Sequence, residues 1–244
     1  VLAVLAACGR LAFERVSPGD GPPDTLADAA LPSGLIHYWP LDEAPGATVA
    51  VDLVGGANAT LSGTAQFVAG RRGDALYSGA GGFATIAATP ADMLGRSQLT
   101  LSGWFLRSAV NGVEQCGQEL APGSDTISLQ LWTDGATYFC MGTPGACGTT
   151  PMANDTSWHF MVMVFDGTQP TDATKLVGYI DGVPQTLQWA YTTPVATMTP
   201  TKVGRFDLGA TSDNEGDDTG TIDDVRVYDR ALAPGEVQAL FAGT

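Results

Sequence analysis

The sequence is poor in positive charge, in glutamate, in histidine and in cysteine, and each shortage narrows what it can do. Eleven Lys and Arg stand against 26 Asp and Glu, a formal net charge of −15 over 244 residues. A field of that sign repels phosphate backbones and anionic membrane surfaces. Nucleic acid is therefore not an expected partner, whereas neutral glycans and divalent cations are compatible. Glutamate occurs only at Glu14, Glu43, Glu114, Glu119, Glu215 and Glu236. Glu114 and Glu119 in "EQCGQE" have opposite strand parity and do not share a face. Glycoside hydrolysis asks for two carboxyl groups roughly 5 to 9 Å apart. The two histidines, His37 and His159, lie in strand-like segments without a recognisable nucleophile partner, which points to core or sheet-surface roles. The four cysteines contain no C-x-x-C pair, so nothing argues for zinc.

What is abundant points to a β-rich fold. There are 31 Gly and 15 Pro, and 44% of the residues are hydrophobic, enough for a sizeable core. The length is large for one average domain, but all-β sandwiches reach it as single units. The chain opens on "VLAVLAAC", which looks like the end of a secretory signal peptide. Leu5-Ala6-Ala7-Cys8 resembles the bacterial lipobox, whose cysteine becomes the lipidated first residue. Residues 1–8 are read as that signal end, with Cys8 as the lipidation site. Residues 9–33, dominated by Pro, Gly and Asp, are read as a flexible tether. Beyond this opening there is no apolar run of the about 18 residues that a membrane-spanning helix needs.

From residue 34 to 244 short apolar runs are cut by Gly, Asp, Asn and Pro. "QLTLSGWFLRS" alternates, with Leu99, Leu101, Gly103 and Phe105 on one face. "TISLQLW" puts Ile127, Leu129 and Leu131 on one face and Ser128, Gln130 and Trp132 on the other. "WHFMVMVFDG" is apolar on both faces, as a strand covered on both sides would be. Asp134-Gly135 and Asp181-Gly182 are hairpin turn signals. Helical periodicity appears only at Pro234 to Phe241, with Glu236 near the positive end and Val237, Leu240 and Phe241 inward. The fold class is all-β: a two-sheet antiparallel jelly-roll sandwich with a short C-terminal helix.

The ordered series "GLIHYWPLDE", "VDLVGGANATLSG", "GRRGDALYSGAGGFATI", "LTLSGWFLRS", "WHFMVMVFDG", "GYIDGVPQ" and "GTIDDVRVYDRALAPGEVQAL" resembles the LamG-like (laminin G, concanavalin A-like lectin-glucanase) jelly-roll domain over nearly all of 34–244. The resemblance implies two antiparallel sheets and a noncatalytic role in binding carbohydrate or other proteins. It also implies one structural calcium between the N-terminal region and the last strand. By motif position that site carries over to Asp52 and Asp223, with Asp42, Asn58 and Asp224 as further candidates. In a regularly alternating strand Asp223 shares the core face of Val225 and Val227. An inward carboxylate must be paired or coordinate a cation. The alternative to calcium is that Asp223 accepts backbone N–H groups while Asp224 pairs with Arg226 or Arg205. The acidic run from Asp213 to Asp218 offers carboxylates for a second cation at the sandwich rim, but it lacks the spacing of an EF-hand, and a solvated loop is the preferred reading.

Sugar sites need flat aromatic faces with polar groups at their edges. Trp39, Trp104 and Trp158 match framework positions of the LamG-like pattern. Trp132, Tyr138, Trp189 and Tyr191 do not, and are the sugar-stacking candidates. For the cysteines, Cys140–Cys147 closing "MGTPGA" and Cys116–Cys147 are both open, with one thiol left over. The functional expectation is an exported bacterial lipoprotein, at the outer membrane or cell surface, held to the membrane only through a lipid anchor. It would recognise a glycan without catalysis. A module binding a matrix or surface protein, and a degenerate glycosidase, are the alternatives.

Overall fold

Alternating strands with one apolar face must bury that face against a second sheet. The computed structural model shows how this chain does so. It describes residues 31–243 except 80, 110–112, 119, 121–123, 133, 152–154, 191–193 and 211–218. Cys8, the proposed tether up to residue 30, Glu119, Tyr191 and the run from Asp213 to Asp218 lie outside the described residues.

In chain order the first strands are β1 (Leu35–Trp39), β2 (Val49–Ala50), β3 (Ala59–Ser62), β4 (Gln66–Ala69), β5 (Asp74–Tyr77) and β6 (Phe83–Ile86). There follow β7 (Gln98–Arg107), β8 (Glu114–Gln118), β9 (Thr126–Leu131), β10 (Ala136–Gly142), β11 (Ala146–Pro151) and β12 (His159–Asp166). After a single helical turn, α1 (Asp172–Lys175), come β13 (Leu176–Ile180), β14 (Val183–Pro184), β15 (Gln188–Trp189), β16 (Phe206–Leu208) and β17 (Gly220–Tyr228). The helix α2 (Pro234–Gly243) ends the described chain. Among the described residues these strands form two antiparallel sheets. One has eight strands in the order β14-β13-β12-β7-β17-β5-β4, with β1 also on β17; the other has nine, β15-β11-β10-β9-β8-β16-β6-β3-β2.

The inner faces meet as expected. Leu99, Leu101, Phe105, Met161, Met163 and Phe165 of the eight-stranded sheet share a core with Ile127, Leu129, Leu131, Phe139, Met141 and Phe206 of the other. Contact is close enough that a Cβ on Gly178 would fall 2.5 Å from the Phe139 ring. The second face of β12 (Phe160, Val162 and Val164) forms an outer cluster with Trp104, Tyr179, Tyr228 and the Val237 and Leu240 of α2. Phe241 lies 5.9 Å from Trp104 and 6.3 Å from Phe160, ring to ring. The doubly apolar β12 is thus covered on both sides, once by the other sheet and once by the helix. Among the described residues no helix is long and apolar enough to cross a membrane.

Both turn signals produce hairpins. Gly135 has φ 78°, and Asp181 and Gly182 have φ 51° and 76°. The last strand departs from regular alternation. Ile222 faces Phe105 and Val227 faces Leu101, five residues against four, with the register break between Asp223 and Arg226. Asp224 sits at the bulge with φ 54°. A bulge inserts one residue and reverses the facing of what precedes it. Ile222, Val225 and Val227 therefore all join the core, while Asp223 lies opposite Trp104 on the outer face, not on the core face that unbroken alternation implies.

Candidate functional site

The face of the nine-stranded sheet turned away from the core is polar. Gln115 stands opposite Gln130, Gln130 opposite Tyr138, Tyr138 opposite Thr149, and Thr149 opposite Gln188. This is one continuous row across β8, β9, β10, β11 and β15. Four strand spacings of about 4.8 Å give it a length of roughly 19 Å. One end is closed: Gln115 is 1% exposed and Gln130 8%. The other end is open, with Tyr138 and Thr149 half-buried and Gln188 exposed. Beside the closed end, Asp207 is buried and held by Arg205 Nε at 2.9 Å. The Arg205 guanidinium lies over the Phe83 ring at 5.1 Å.

The β9–β10 hairpin supplies the aromatic part of the open end. The Trp132 N–H donates to Ala136 O at 3.1 Å, and the Gly135 N–H to Trp132 O at 3.1 Å. This continues the ladder one step past Leu131, so alternation leaves half-buried Trp132 on the face of Ser128 and Gln130. Trp132 and Tyr138 become diagonal cross-strand neighbours, about 7 to 8 Å apart by sheet geometry and within reach of each other's rings. Asp134 fixes the turn: its Oδ1 accepts the Ala136 N–H and its Oδ2 the Tyr138 hydroxyl, each at 2.8 Å. Two of the four aromatic candidates are thus brought together. Trp189 is not with them. It sits opposite Gly148 and packs against the core, on the reverse face from Gln188. An edge pairing between segments so far apart in sequence is not readable from local alternation.

Cys140 and Cys147 face each other directly across β10 and β11 and are joined, leaving Cys116 as a buried free thiol. The bridge ties together the two strands that carry Tyr138 and Thr149. Burial, with the charges of Glu114 and Asp207, pushes the Cys116 thiol above its ordinary range. Closing a loop of this length contributes about 2 to 3 kcal/mol. The double substitution Cys140→Ser/Cys147→Ser is expected to lower Tm by about 5 to 10 °C in thermal melts. An unchanged Tm would show the bridge to be energetically idle.

This face belongs to a recognisable sandwich. Residues 79–238 match the family described as the Concanavalin A-like lectin/glucanases superfamily. The chain belongs to that superfamily. No curated protein matches the sequence. Solved structures with the same fold include domain 4 of AbnA, a GH43 extracellular arabinanase from Geobacillus stearothermophilus, in complex with arabinotriose. It is 21% identical with a TM-score of 0.61, and the match covers 84% of this chain and 97% of that one. The Trypanosoma rangeli sialidase bound to the inhibitor DANA is 17% identical with a TM-score of 0.60, covering 91% of this chain but 34% of the sialidase. The botulinum neurotoxin serotype D binding domain is 12% identical with a TM-score of 0.60, covering 86% and 52%. The chain therefore spans about a third of the sialidase and half of the neurotoxin domain. At these identities the likeness is one of fold.

The calcium set implied by resemblance to the superfamily is divided in the structure. Asp52 Oδ1 accepts the N–H groups of Tyr38, Val54 and Gly55 at 2.9, 3.0 and 3.1 Å. Its Oδ2 accepts the Ala57 N–H at 2.9 Å and His37 Nδ1 at 2.7 Å. Asn58 Oδ1 is taken by the Asp52 N–H at 2.9 Å. Oxygens so fully occupied do not fit a calcium site, whose ion needs lone pairs of its own. The remaining three lie elsewhere. Asp223 Oδ2 accepts the N–H groups of Arg71 and Arg72 at 2.9 and 3.1 Å. Asp224 Oδ1 accepts Tyr38 Oη at 2.7 Å and Arg226 Nη2 at 3.0 Å. Asp42 Oδ1 accepts the Asp74 N–H at 2.8 Å. Asp224 already has its cation, and the Arg226 guanidinium also lies over the Tyr38 ring at 4.6 Å. Among the described residues no group of three or more His, Cys, Asp or Glu side chains is arranged to hold a metal ion. The partners of Asp223 and Asp224 are those of the hydrogen-bonding alternative.

Proposed function

We propose that this chain is a noncatalytic glycan-binding module whose site is the polar row, entered at the Trp132–Tyr138 end. The observation that carries the reading is the pairing of two aromatic side chains on the open end of a face otherwise built from amide, hydroxyl and carboxylate groups. Aromatic rings offer an apolar plane to the C–H face of a sugar while the flanking polar groups meet its hydroxyls. The two carboxylates assigned to this face are badly placed for glycoside hydrolysis. Asp207 is level with Gly117 and hence with Ser128, whereas Asp134 lies beyond Trp132. More than four residues of strand is at least about 13 Å. The carboxyl pairs of glycosidases stand about 5 to 9.5 Å apart.

A glycan-array screen of the full chain tests the reading, followed by titration of the best hit. Trp132→Ala is expected to weaken binding at least about tenfold, as for a central aromatic anchor. Its Tm should stay within about 2 °C of the parent, because the ring is half-exposed and outside the core. Undiminished affinity in the variant would remove Trp132 from the site. A blank array from folded protein would favour the protein-binding alternative. The exposed apolar run of Val49, Val51, Leu53 and Val54 at the β2 edge is the feature that would then need a partner.

A further inference from the structure

We infer that the ligand of the row is an uncharged, hydroxyl-rich glycan, and that glycans carrying carboxylate or sulfate groups are excluded; this rests on the glycan-binding reading above. An anionic sugar must be met by cations or by N–H and O–H groups with hydrogens to give. At the open end two of those hydrogens are committed within the protein, while the Trp132 indole and the exposed Gln188 amide keep theirs. Tyr138 Oη donates to Asp134 Oδ2 at 2.8 Å. Thr149 Oγ1 donates to the Gln188 carbonyl at 3.1 Å. At the closed end Gln130 Nε2 donates one hydrogen to Ser128 Oγ at 3.0 Å. The donors left for a ligand are neutral N–H groups, which meet sugar hydroxyls, while the Asp134 carboxylate beside Tyr138 repels carboxylates and sulfates.

Charge acts in the same direction. Asp134 puts an exposed carboxylate beside Tyr138. Arg107 lies within electrostatic range of Asp134, but it is 1% exposed and faces Asp155 as well. Arg205 is tied to Asp207 at 2.9 Å. The local balance of Asp134, Asp155 and Arg107 is one negative charge, within a chain of net charge −15. Anionic polymers are repelled at long range, and Arg107 and Arg205 are already committed to carboxylates.

The full chain would be titrated with neutral polysaccharides (arabinan, xylan, β-glucan) and with anionic ones (polygalacturonate, heparin, polysialic acid), at about 20 mM and about 500 mM salt. At least one neutral polymer is expected to bind with little salt dependence. Every anionic polymer should bind at least about tenfold more weakly at low salt, the gap narrowing as salt screens the repulsion. Asp134→Asn should narrow the same gap at low salt. An anionic polymer that bound as tightly as the best neutral one at low salt, and lost binding with Trp132→Ala, would overturn the inference while leaving the site in place. Binding of no polymer of either class would remove the glycan-binding reading itself, and this inference with it.

Discussion

Replacing Asp52 with alanine is expected to lower the melting temperature by more than about 10 °C. The side chain is fully buried and receives four backbone N–H groups, from Tyr38, Val54, Gly55 and Ala57, together with His37 Nδ1. Alanine removes the acceptor for all of them: the Tyr38 N–H and His37 Nδ1 are stranded in buried positions, and the three loop N–H groups in part-buried ones. Each buried donor left unsatisfied costs about 1 to 3 kcal/mol. Even with partial relaxation the loss exceeds about 4 kcal/mol, and a domain of this size loses about 2 to 4 °C per kcal/mol. The clamp joins three stretches of chain, because His37 Nε2 also reaches Asp92 Oδ1 at 3.0 Å. Its closeness is visible at Gly55, where a Cβ would fall 2.2 Å from His37 Nδ1. A change below about 3 °C in a thermal melt would mean that water or a backbone shift satisfies these groups.

The same clamp has a pH window. Burial alone would raise the Asp52 carboxyl, but the His37 bond and the N–H groups of Tyr38, Ala57 and Val54 outweigh it and hold it well below the ordinary 3.8. Burial would lower His37, but its bonds to Asp52 and Asp92 outweigh that and raise it above 6.5. A depressed carboxylate gives stability above its unfolded value and loses it as pH falls through the folded one. A raised histidine gives stability below 6.5 and loses it as pH rises through its folded value. The clamp is fully set between those two unfolded values and weakens on either side.

Asp223→Asn is expected to do the opposite of Asp52→Ala and stabilise the protein at alkaline pH. Burial, then the charge of Asp224, pushes the Asp223 carboxyl up to about 8; the Arg72 and Arg71 N–H bonds oppose this, and Asp42 adds to it. The folded chain thus holds a proton that the unfolded chain releases near 3.8. Stability is complete below that value and falls as pH rises toward about 8. The side chain is 1% exposed. At 1.36 kcal/mol per unit the loss is on the order of 5 kcal/mol across the window. Asparagine keeps an oxygen for the Arg71 and Arg72 N–H groups without the charge. Melts from pH 5 to about 8 should show near-equal stability at the acid end and a variant that gains on the parent as pH rises. A variant less stable than the parent at pH 8, with a parent Tm that drops in chelator, would instead put a cation beside Asp223. That outcome would restore the calcium implied by resemblance, at Asp223 rather than at Asp52.

What the sequence determined by itself is what nearest and next-nearest neighbours encode. Alternation in "TISLQLW" placed Ser128, Gln130 and Trp132 on one face, and the same period in β10 places Tyr138 on it too. Asp134-Gly135 and Asp181-Gly182 made the two hairpins because their backbones accept the left-handed conformation, with φ 78° at Gly135 and 51° at Asp181. The doubly apolar β12 announced cover on both faces, and Pro234 with Glu236 marked the helix start; Glu236 Oε2 accepts the Ala233 N–H at 2.8 Å. Tertiary structure alone decided the rest. The bulge at Asp224 turned Asp223 onto the outer face, because β17 must match Phe105 and Leu101 of β7 at once and has one residue too many. Asp52 found His37 instead of Asp223, and Trp189 went to the core by pairing with Gly148. The row from Gln115 to Gln188 exists because the consecutive strands β8 to β11 hold one register and β15, distant in sequence, is added at the β11 edge. Local patterns fix which way a side chain points within its own strand. Which side chains it meets is set by packing between strands, and one inserted residue there reverses an assignment that the local pattern had made.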